Sequence, residues 1–220
     1  MDGSLHDLGA IGRKAGKVTP AMLAHIVLRT GQSEKMVEWY STLLNAEVVF
    51  GNKRITFLTY DEEHHRIAIA NMPVTGRRNK SRAGVDHIAF TYASLGDLLE
   101  NWERLHRLGI DPVWCTNHGP TTSMYYEDPD GNIIELQIDN FDSYEDLEAW
   151  AVDSDFETNP IGVDFDPAQL KRRYDAGEDE GNLKIRLRIG PRSATTIPSA
   201  YTGRFVAFLA HLAQFLGRKA

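Results

Sequence analysis

The chain has 220 residues, a formal net charge of −7 and an isoelectric point near 5.6, and this acidic balance argues against a nucleic-acid binder that grips phosphates through a basic surface. With 42% hydrophobic residues, the chain can build one substantial core or two small modules that share one. Its single cysteine, Cys115, excludes an intrachain disulfide and is typical of a reducing, cytoplasmic setting. No apolar run reaches the roughly 18–20 residues that cross a membrane, and no secretory signal is evident.

The first half of the chain predicts one βαβββ module. Residues 1–18 are glycine-rich and predict a flexible N-terminal arm. A strand over Met22–Arg29 follows, in which period-two alternation places His25 opposite a wholly apolar face. Ser33 can cap the next helix. Three short strands complete the module, and they are predicted at Glu47–Phe50, Ile55–Thr59 and His65–Ile69.

The same order of elements then returns. A polar, basic stretch over 73–84 predicts a solvated linker. A strand over Val85–Thr91 precedes a helix that begins at Ser94, with Asp97 completing a capping box. Three further strands are predicted near Pro112–Cys115, Met124–Tyr126 and Asn132–Ile138.

An internal repeat supports this division. The segment AHIVLRT (24–30) aligns with DHIAFTY (86–92), and self-similarity of this kind indicates a duplicated supersecondary unit. We therefore predict an α+β fold of two tandem βαβββ modules, over 19–72 and 85–140, that form a partly closed, mixed β-barrel.

Residues 141–220 differ in character and predict a loop-rich, helical C-terminal extension. Two short helices are expected to begin at Ser143 and at Asp166. Residues 202–217 predict a very apolar helix that packs on the body of the protein or on a second subunit, so we expect a homo-oligomer. Its apolar stripe comprises Phe205, Phe208, Leu209, Leu212, Phe215 and Leu216.

One hairpin carries the chemistry. Asp-Pro-Asp-Gly at 128–131 predicts a turn between two antiparallel strands, which brings Tyr125 and Glu135 to one surface with His118 on the entering loop. Isoleucine and leucine flank Glu135 in a strand that should be covered, and a buried carboxylate needs a partner. An ion pair with Lys or Arg and a divalent metal ion both satisfy that need.

Two histidines bear on this choice. His25 and His87 hold equivalent positions in the first strand of each module, and Glu135 lies in the last strand of the second. If a pseudo-two-fold axis relates the modules, both histidines face a shared cavity and Glu135 lies beside His87. Two histidines and one carboxylate, with the remaining positions open, are associated with non-haem Fe(II) oxygen chemistry.

The module order and this His…His…Glu set resemble the vicinal oxygen chelate superfamily, which includes glyoxalases, bleomycin resistance proteins and dioxygenases. Within it, the hairpin resembles the signature of the type I extradiol, ring-cleaving catechol dioxygenases, here in a single-domain form. The resemblance covers roughly residues 20–140. The matching motifs are Thr116-x-His118, Met124-Tyr125, Asp128-Pro129-x-Gly131 and Glu135, together with the His-His stretch Glu63–Ala68.

The resemblance implies a metal site and a catalytic group. The metal ligands are His25, His87 and Glu135, and the catalytic residues are His65, His118 and Tyr125. His65 matches the acid–base histidine of the family, although the adjacent His64 could face the site instead. The implied cofactor is Fe(II), with Mn(II) also compatible, the substrates are O2 and a mono- or bicyclic catechol, and the product is a hydroxymuconic acid derivative.

Two other functions use the same scaffold. A glyoxalase I-like isomerase would need a second carboxylate from the last strand of the first module, and the stretch Arg66–Asn71 contains no acid. A non-catalytic small-molecule-binding protein would lack the metal triad and should purify without stoichiometric iron or manganese.

Overall fold

The computed structural model describes residues 18–73, 76–203, 206–207 and 214. The chain divides into two compact units, Met1–Thr75 and Gly76–Ala220. Most of the predicted N-terminal arm, and the whole apolar stripe predicted between 205 and 216, lie outside the described residues.

The first unit is a four-stranded mixed sheet with one helix. In the sheet the strand order is β1-β4-β3-β2; β1 runs parallel to β4 and the other neighbours are antiparallel. Met36, Tyr40 and Leu43 on the helix are fully buried with Ile67 and Ile69 of the last strand. The elements are β1 (Ile26–Thr30), α1 (Ser33–Leu44), β2 (Glu47–Gly51), β3 (Ile55–Thr59) and β4 (Ile67–Asn71).

The first strand begins later than predicted. β1 pairs residue for residue with the five residues of β4. The Arg66 guanidinium donates hydrogen bonds to the carbonyls of Leu23 and Ala24, which a longer strand would need for pairing. His25 therefore lies one residue before β1, exposed. β4 also begins later than predicted, at Ile67, so His65 lies in the loop that leads into it rather than in the strand.

The second unit repeats this arrangement and adds a fifth strand. The order is β5-β8-β7-β6-β9, with β5 parallel to β8 and the other neighbours antiparallel. The predicted α+β class and the βαβββ repeat are confirmed, and neither sheet closes into a barrel within the described residues. The elements are β5 (His87–Thr91), α2 (Leu95–Arg107), β6 (Trp114–Asn117), β7 (Thr121–Glu127), β8 (Ile133–Asp139) and β9 (Val163–Asp164).

The described part of the C-terminal extension contains four short helices. Ser143 and Asp166 cap the first two, as predicted from their local sequence, and β9 joins the extension to the edge of the sheet beside β6. No helix in the described ranges is long and apolar enough to span a bilayer. The helices are α3 (Tyr144–Asp153), α4 (Pro167–Asp175), α5 (Glu180–Lys184) and α6 (Ser199–Thr202), with a 3-10 turn at Ala194–Thr196.

The basic stretch before β5 is less solvated than expected. The Lys80 ammonium contacts the Glu127 carboxylate and the Ala200 carbonyl, and its side chain is only 16% exposed. Arg77 also pairs with Glu127, and Arg78 donates to the carbonyl of Asp86 at 2.6 Å. These contacts tie the stretch to the hairpin turn and to the C-terminal extension of the same unit.

Candidate active site

An ion pair between a half-buried histidine and a buried glutamate lies in the second unit. His87 begins β5 and Glu135 lies in the neighbouring strand β8, where its alternation with the fully buried Ile134 and Leu136 turns it to the opposite face. The Nε2 atom of His87 is 3.0 Å from Oε2 of Glu135. Glu135 is 4% exposed, so the basic partner of this buried carboxylate is an imidazole.

The pair is charged on both sides. The hydrogen bond to Glu135 raises the pKa of His87 to about 9, against the lowering effect of burial. Burial alone would raise the pKa of Glu135, but hydrogen bonds from His87, Ser123 and Tyr125 outweigh it and hold that pKa below its ordinary value. The site therefore stabilises a carboxylate together with a positive charge beside it.

Tyr125 links this pair to His118. Tyr125 stands directly opposite Glu135 in the β7–β8 register, and its hydroxyl donates to Oε1 of Glu135 at 3.0 Å. His118 Nε2 lies 2.8 Å from the same hydroxyl. A tyrosine has one proton to donate, and here that proton is directed to Glu135.

The protonation states follow from burial. Burial and the charge of Glu135 raise the pKa of Tyr125 far above its ordinary value, so the phenol stays protonated. Burial lowers the pKa of His118, so its imidazole is neutral near neutral pH. The Trp114 ring stacks on the Tyr125 ring with centroids 5.0 Å apart, which holds the hydroxyl in place.

The C-terminal extension secures the turn that carries His118. Arg186 donates from Nη1 to the carbonyl of His118 at 3.0 Å and from Nη2 to the carbonyl of Asn159. Its side chain is buried and lies near the Trp150 ring, with the guanidinium carbon 5.9 Å from the ring centroid. Gly119, the next residue of the turn, has φ +105° and lies against the same indole.

Two further residues contact His87 on its other nitrogen. Nδ1 of His87 is 3.0 Å from Oδ2 of Asp86 and 3.2 Å from the hydroxyl of Tyr201. Sequence reasoning missed both. The carboxylate directly before a predicted ligand was an available signal for Asp86, whereas nothing local distinguishes Tyr201.

In the first unit, His25 and His65 lie side by side. Their ring centroids are 4.4 Å apart, and the His65 ring also stacks on the Phe57 ring at a centroid distance of 4.5 Å. His64 is 71% exposed at its side chain. Burial, and then the charge of His25, lower the pKa of His65, so His65 favours the neutral form.

Comparison with known proteins assigns the chain to a family. The sequence model of the Glyoxalase/Bleomycin resistance protein/Dioxygenase superfamily matches residues 22–136. The chain belongs to this superfamily.

The chain is also similar to two named proteins within this superfamily. It is 45% identical over 155 residues to biphenyl-2,3-diol 1,2-dioxygenase 2 of Rhodococcus globerulus, an alignment that covers 70% of this chain and 82% of that protein. It is 44% identical over 171 residues to biphenyl-2,3-diol 1,2-dioxygenase 3 of the same organism, covering 77% and 90%. Among solved structures, a lactoylglutathione lyase from Agrobacterium tumefaciens is 16% identical, covers 54% of this chain and 94% of its own, and has a TM-score of 0.44.

These relatives confirm the predicted family and enzyme class: the chain is an extradiol dioxygenase. Extradiol dioxygenases of this family depend on a metal. The six predicted site residues fall into two groups, His25 with His65 in the first unit and the other four in the second. Across the described ranges, no three His, Cys, Asp or Glu side chains meet as a metal-binding group. The three-ligand set therefore stays a prediction.

Proposed function

We propose that the protein cleaves the ring of a catechol-type diol beside its two hydroxyl groups, with both atoms of O2, at a mononuclear Fe(II) site of His25, His87 and Glu135. The observation that carries the proposal is the buried Glu135 carboxylate, which Tyr125 and His87 contact at 3.0 Å each. The names of the two relatives make biphenyl-2,3-diol, a bicyclic catechol, the first substrate to test. The expected product is a hydroxymuconic acid derivative.

The residues of the second unit fit a divalent ion. Imidazole and carboxylate are donors that Fe(II) and Mn(II) both accept. Glu135 is buried, held ionised, and already faces Nε2 of His87. Because a ligating imidazole must be deprotonated, loading the site would release the proton that His87 carries in the ion pair. When bound, the metal would hold the diol and O2 together and would pass electrons from the diol to O2 without net oxidation of the metal.

Each catalytic residue has a task that its surroundings support. Tyr125 stays protonated, so its hydroxyl can donate a hydrogen bond to an oxygen of the bound diol, as it now donates one to Glu135. His118 is neutral and holds that hydroxyl in place from the other side. His65 is neutral beside His25, so one of its ring nitrogens can accept a proton during turnover and return it later.

The isomerase alternative lacks support in the first unit. A glyoxalase-like site would draw a carboxylate from the last strand of that unit, and β4, Ile67–Asn71, has no acidic side chain. A homo-oligomer and a cytoplasmic location stay predictions, and sedimentation analysis of the purified protein measures the first of these.

The test combines metal analysis with product formation. Protein purified without oxygen is expected to retain about one iron or manganese per chain and to turn a biphenyl-2,3-diol solution yellow. His87→Ala should abolish metal retention and colour together. The matched control is His106→Ala, because His106 lies on the surface of α2, more than half exposed and paired with Asp111; it should leave both unchanged. A His87→Ala protein that still cleaves the diol contradicts the proposal.

A further inference from the structure

Tyr201 reaches the site from the C-terminal extension. It lies in α6, and its hydroxyl donates to Oδ2 of Asp86 while standing 3.2 Å from Nδ1 of His87. The same Oδ2 atom of Asp86 is 3.0 Å from Nδ1 of His87. The hydroxyl, the carboxylate and the imidazole edge thus form a closed triangle on the side of the His87 ring that faces away from Glu135.

This triangle determines which nitrogen of His87 can bind a metal. A neutral imidazole carries one proton, and the nitrogen without it supplies the lone pair. A carboxylate that accepts a hydrogen bond from Nδ1 fixes the proton there and leaves Nε2 free. Nε2 is the atom that faces Glu135, so Asp86 selects the tautomer in which both donor atoms point to one place.

Asp86 alone is poorly suited to this task. Its side chain is 70% exposed, and an exposed aspartate can rotate into water, where it no longer orients its neighbour. The Tyr201 hydroxyl supplies the second anchor on the same oxygen. The Tyr201 ring packs edge-on against Trp114 and Tyr125, with centroid distances of 4.9 and 5.0 Å, and these contacts restrict where its hydroxyl can lie.

We propose that Tyr201 is a positioning residue: it holds Asp86 against Nδ1 of His87 and thereby presents Nε2 to the metal. The C-terminal extension is then part of the active site of the second unit. This inference rests on the proposed function, because it takes His87 as a ligand. Tyr201 acts through Asp86 and His87 and needs no contact with the diol.

The test measures metal affinity directly, without turnover. Tyr201→Phe removes only the hydroxyl and keeps the ring against Trp114 and Tyr125. Titration of the metal-free protein with Mn2+, followed by electron paramagnetic resonance, should give a dissociation constant about 10- to 100-fold weaker than that of the wild type. Tyr144→Phe is the matched control, because Tyr144 is 68% exposed at the start of α3, and it should bind Mn2+ as the wild type does.

A double-mutant cycle separates positioning from general loosening of the fold. Asp86→Asn and Tyr201→Phe interrupt the same contact path, so the double variant should bind Mn2+ about as weakly as the weaker single variant. Near-ultraviolet circular dichroism of each variant reports whether the aromatic cluster is intact. Additive losses, or a Tyr201→Phe protein with the wild-type dissociation constant, overturn the inference.

The outcomes distinguish this inference from the function beneath it. If the wild type retains metal and loses it on His87→Ala, but Tyr201→Phe binds Mn2+ as tightly as the wild type, the positioning role is wrong and the dioxygenase proposal stands. If the wild type itself binds no divalent metal, the proposed function is wrong and the positioning role fails with it.

Discussion

The Tyr125 hydroxyl connects two other candidate site residues of the second unit. It stands between Nε2 of His118 and Oε1 of Glu135, at 2.8 and 3.0 Å. A group with one proton and two partners can change its acceptor when a third oxygen, such as that of a diol, arrives. In the proposed reaction, Tyr125 would transfer its hydrogen bond from Glu135 to the diol.

Tyr125→Phe removes this hydroxyl while the ring can still stack on Trp114. A hydrogen bond to a charged group is worth about 1.5–3 kcal/mol, so we expect kcat to fall roughly 10- to 100-fold while the metal stays bound. Steady-state rates with biphenyl-2,3-diol, normalised to the metal content of each preparation, measure this. Unchanged turnover removes Tyr125 from the mechanism.

His118 makes stability depend on pH in a defined direction. Because burial lowers its pKa in the folded protein, the unfolded chain takes up the proton first as the pH falls through the ordinary histidine value of about 6.5. Stability is therefore full above that value and is lost below it. His118→Gln, which can still donate to Tyr125, lacks this titration.

The urea midpoints of wild type and His118→Gln are to be compared from about pH 7.5 to about pH 5. We expect the wild type to lose stability relative to the variant over this range. The raised pKa of His87, about 9, acts in the opposite direction and mainly above pH 6.5, and it is common to both proteins. Parallel curves would show that His118 does not titrate differently in the folded state.

The residues on the hairpin could be found from sequence because their signals are local. Asp128 accepts from the backbone of Asp130 and Asn132 and so builds the turn that Asp-Pro-Asp-Gly predicted. Once the turn is fixed, strand alternation places Tyr125 opposite Glu135. Tyr201 meets His87 from far along the chain, and no local pattern records a contact of that kind.

Among the elements, the turn between β6 and β7 depends most on its surroundings. It carries His118, which Arg186 holds by its carbonyl, and it presses Gly119 against Trp150 of α3. Glycine is required at position 119 for two reasons. Its φ of +105° would strain any residue with a side chain, and a Cβ there would collide with the Trp150 indole. A shift of this turn would move His118 away from Tyr125.

Gly119→Ala tests this dependence, with Gly177→Ala as a control. Gly177 also has a positive φ, +81°, but a Cβ there meets nothing within 4 Å. We expect Gly177→Ala to cost about 1–2 kcal/mol of stability through backbone strain alone. Gly119→Ala should cost about 1–3 kcal/mol more and lower turnover as well. Urea unfolding and steady-state rates measure both, and equal losses for the two variants would contradict a role for the Trp150 contact.

Elements with local determinants were predicted well, and those set by a partner were not. Ser94 and Ser143 cap their helices through residues three positions ahead, and such capping boxes can be read directly from sequence. The start of β1 was placed too early, because its length is set by β4 and by Arg66. The two-residue strand β9 was missed, since it exists only through its pairing with β6.

For the molecule as a whole, the duplicated βαβββ order was evident from the repeat around His25 and His87, and it recurs in both sheets. The purpose of the C-terminal extension was not evident. In the second unit it supplies Arg186 to the His118 turn, Tyr201 to the His87 triangle, and Asp164 of β9 to the indole nitrogen of Trp114 at 2.7 Å. Through these long-range contacts the extension holds residues of the candidate site in position.

The parallel pairing of β5 with β8 has a consequence for how that site comes into being. These strands open and close the second βαβββ module, so the whole module must fold back on itself before they can pair. The entropy lost on closing a loop grows with its length, and non-local strand pairing is slow. His87 and Glu135 are brought together by this pairing, so the ion site proposed above would form only after the second module has closed.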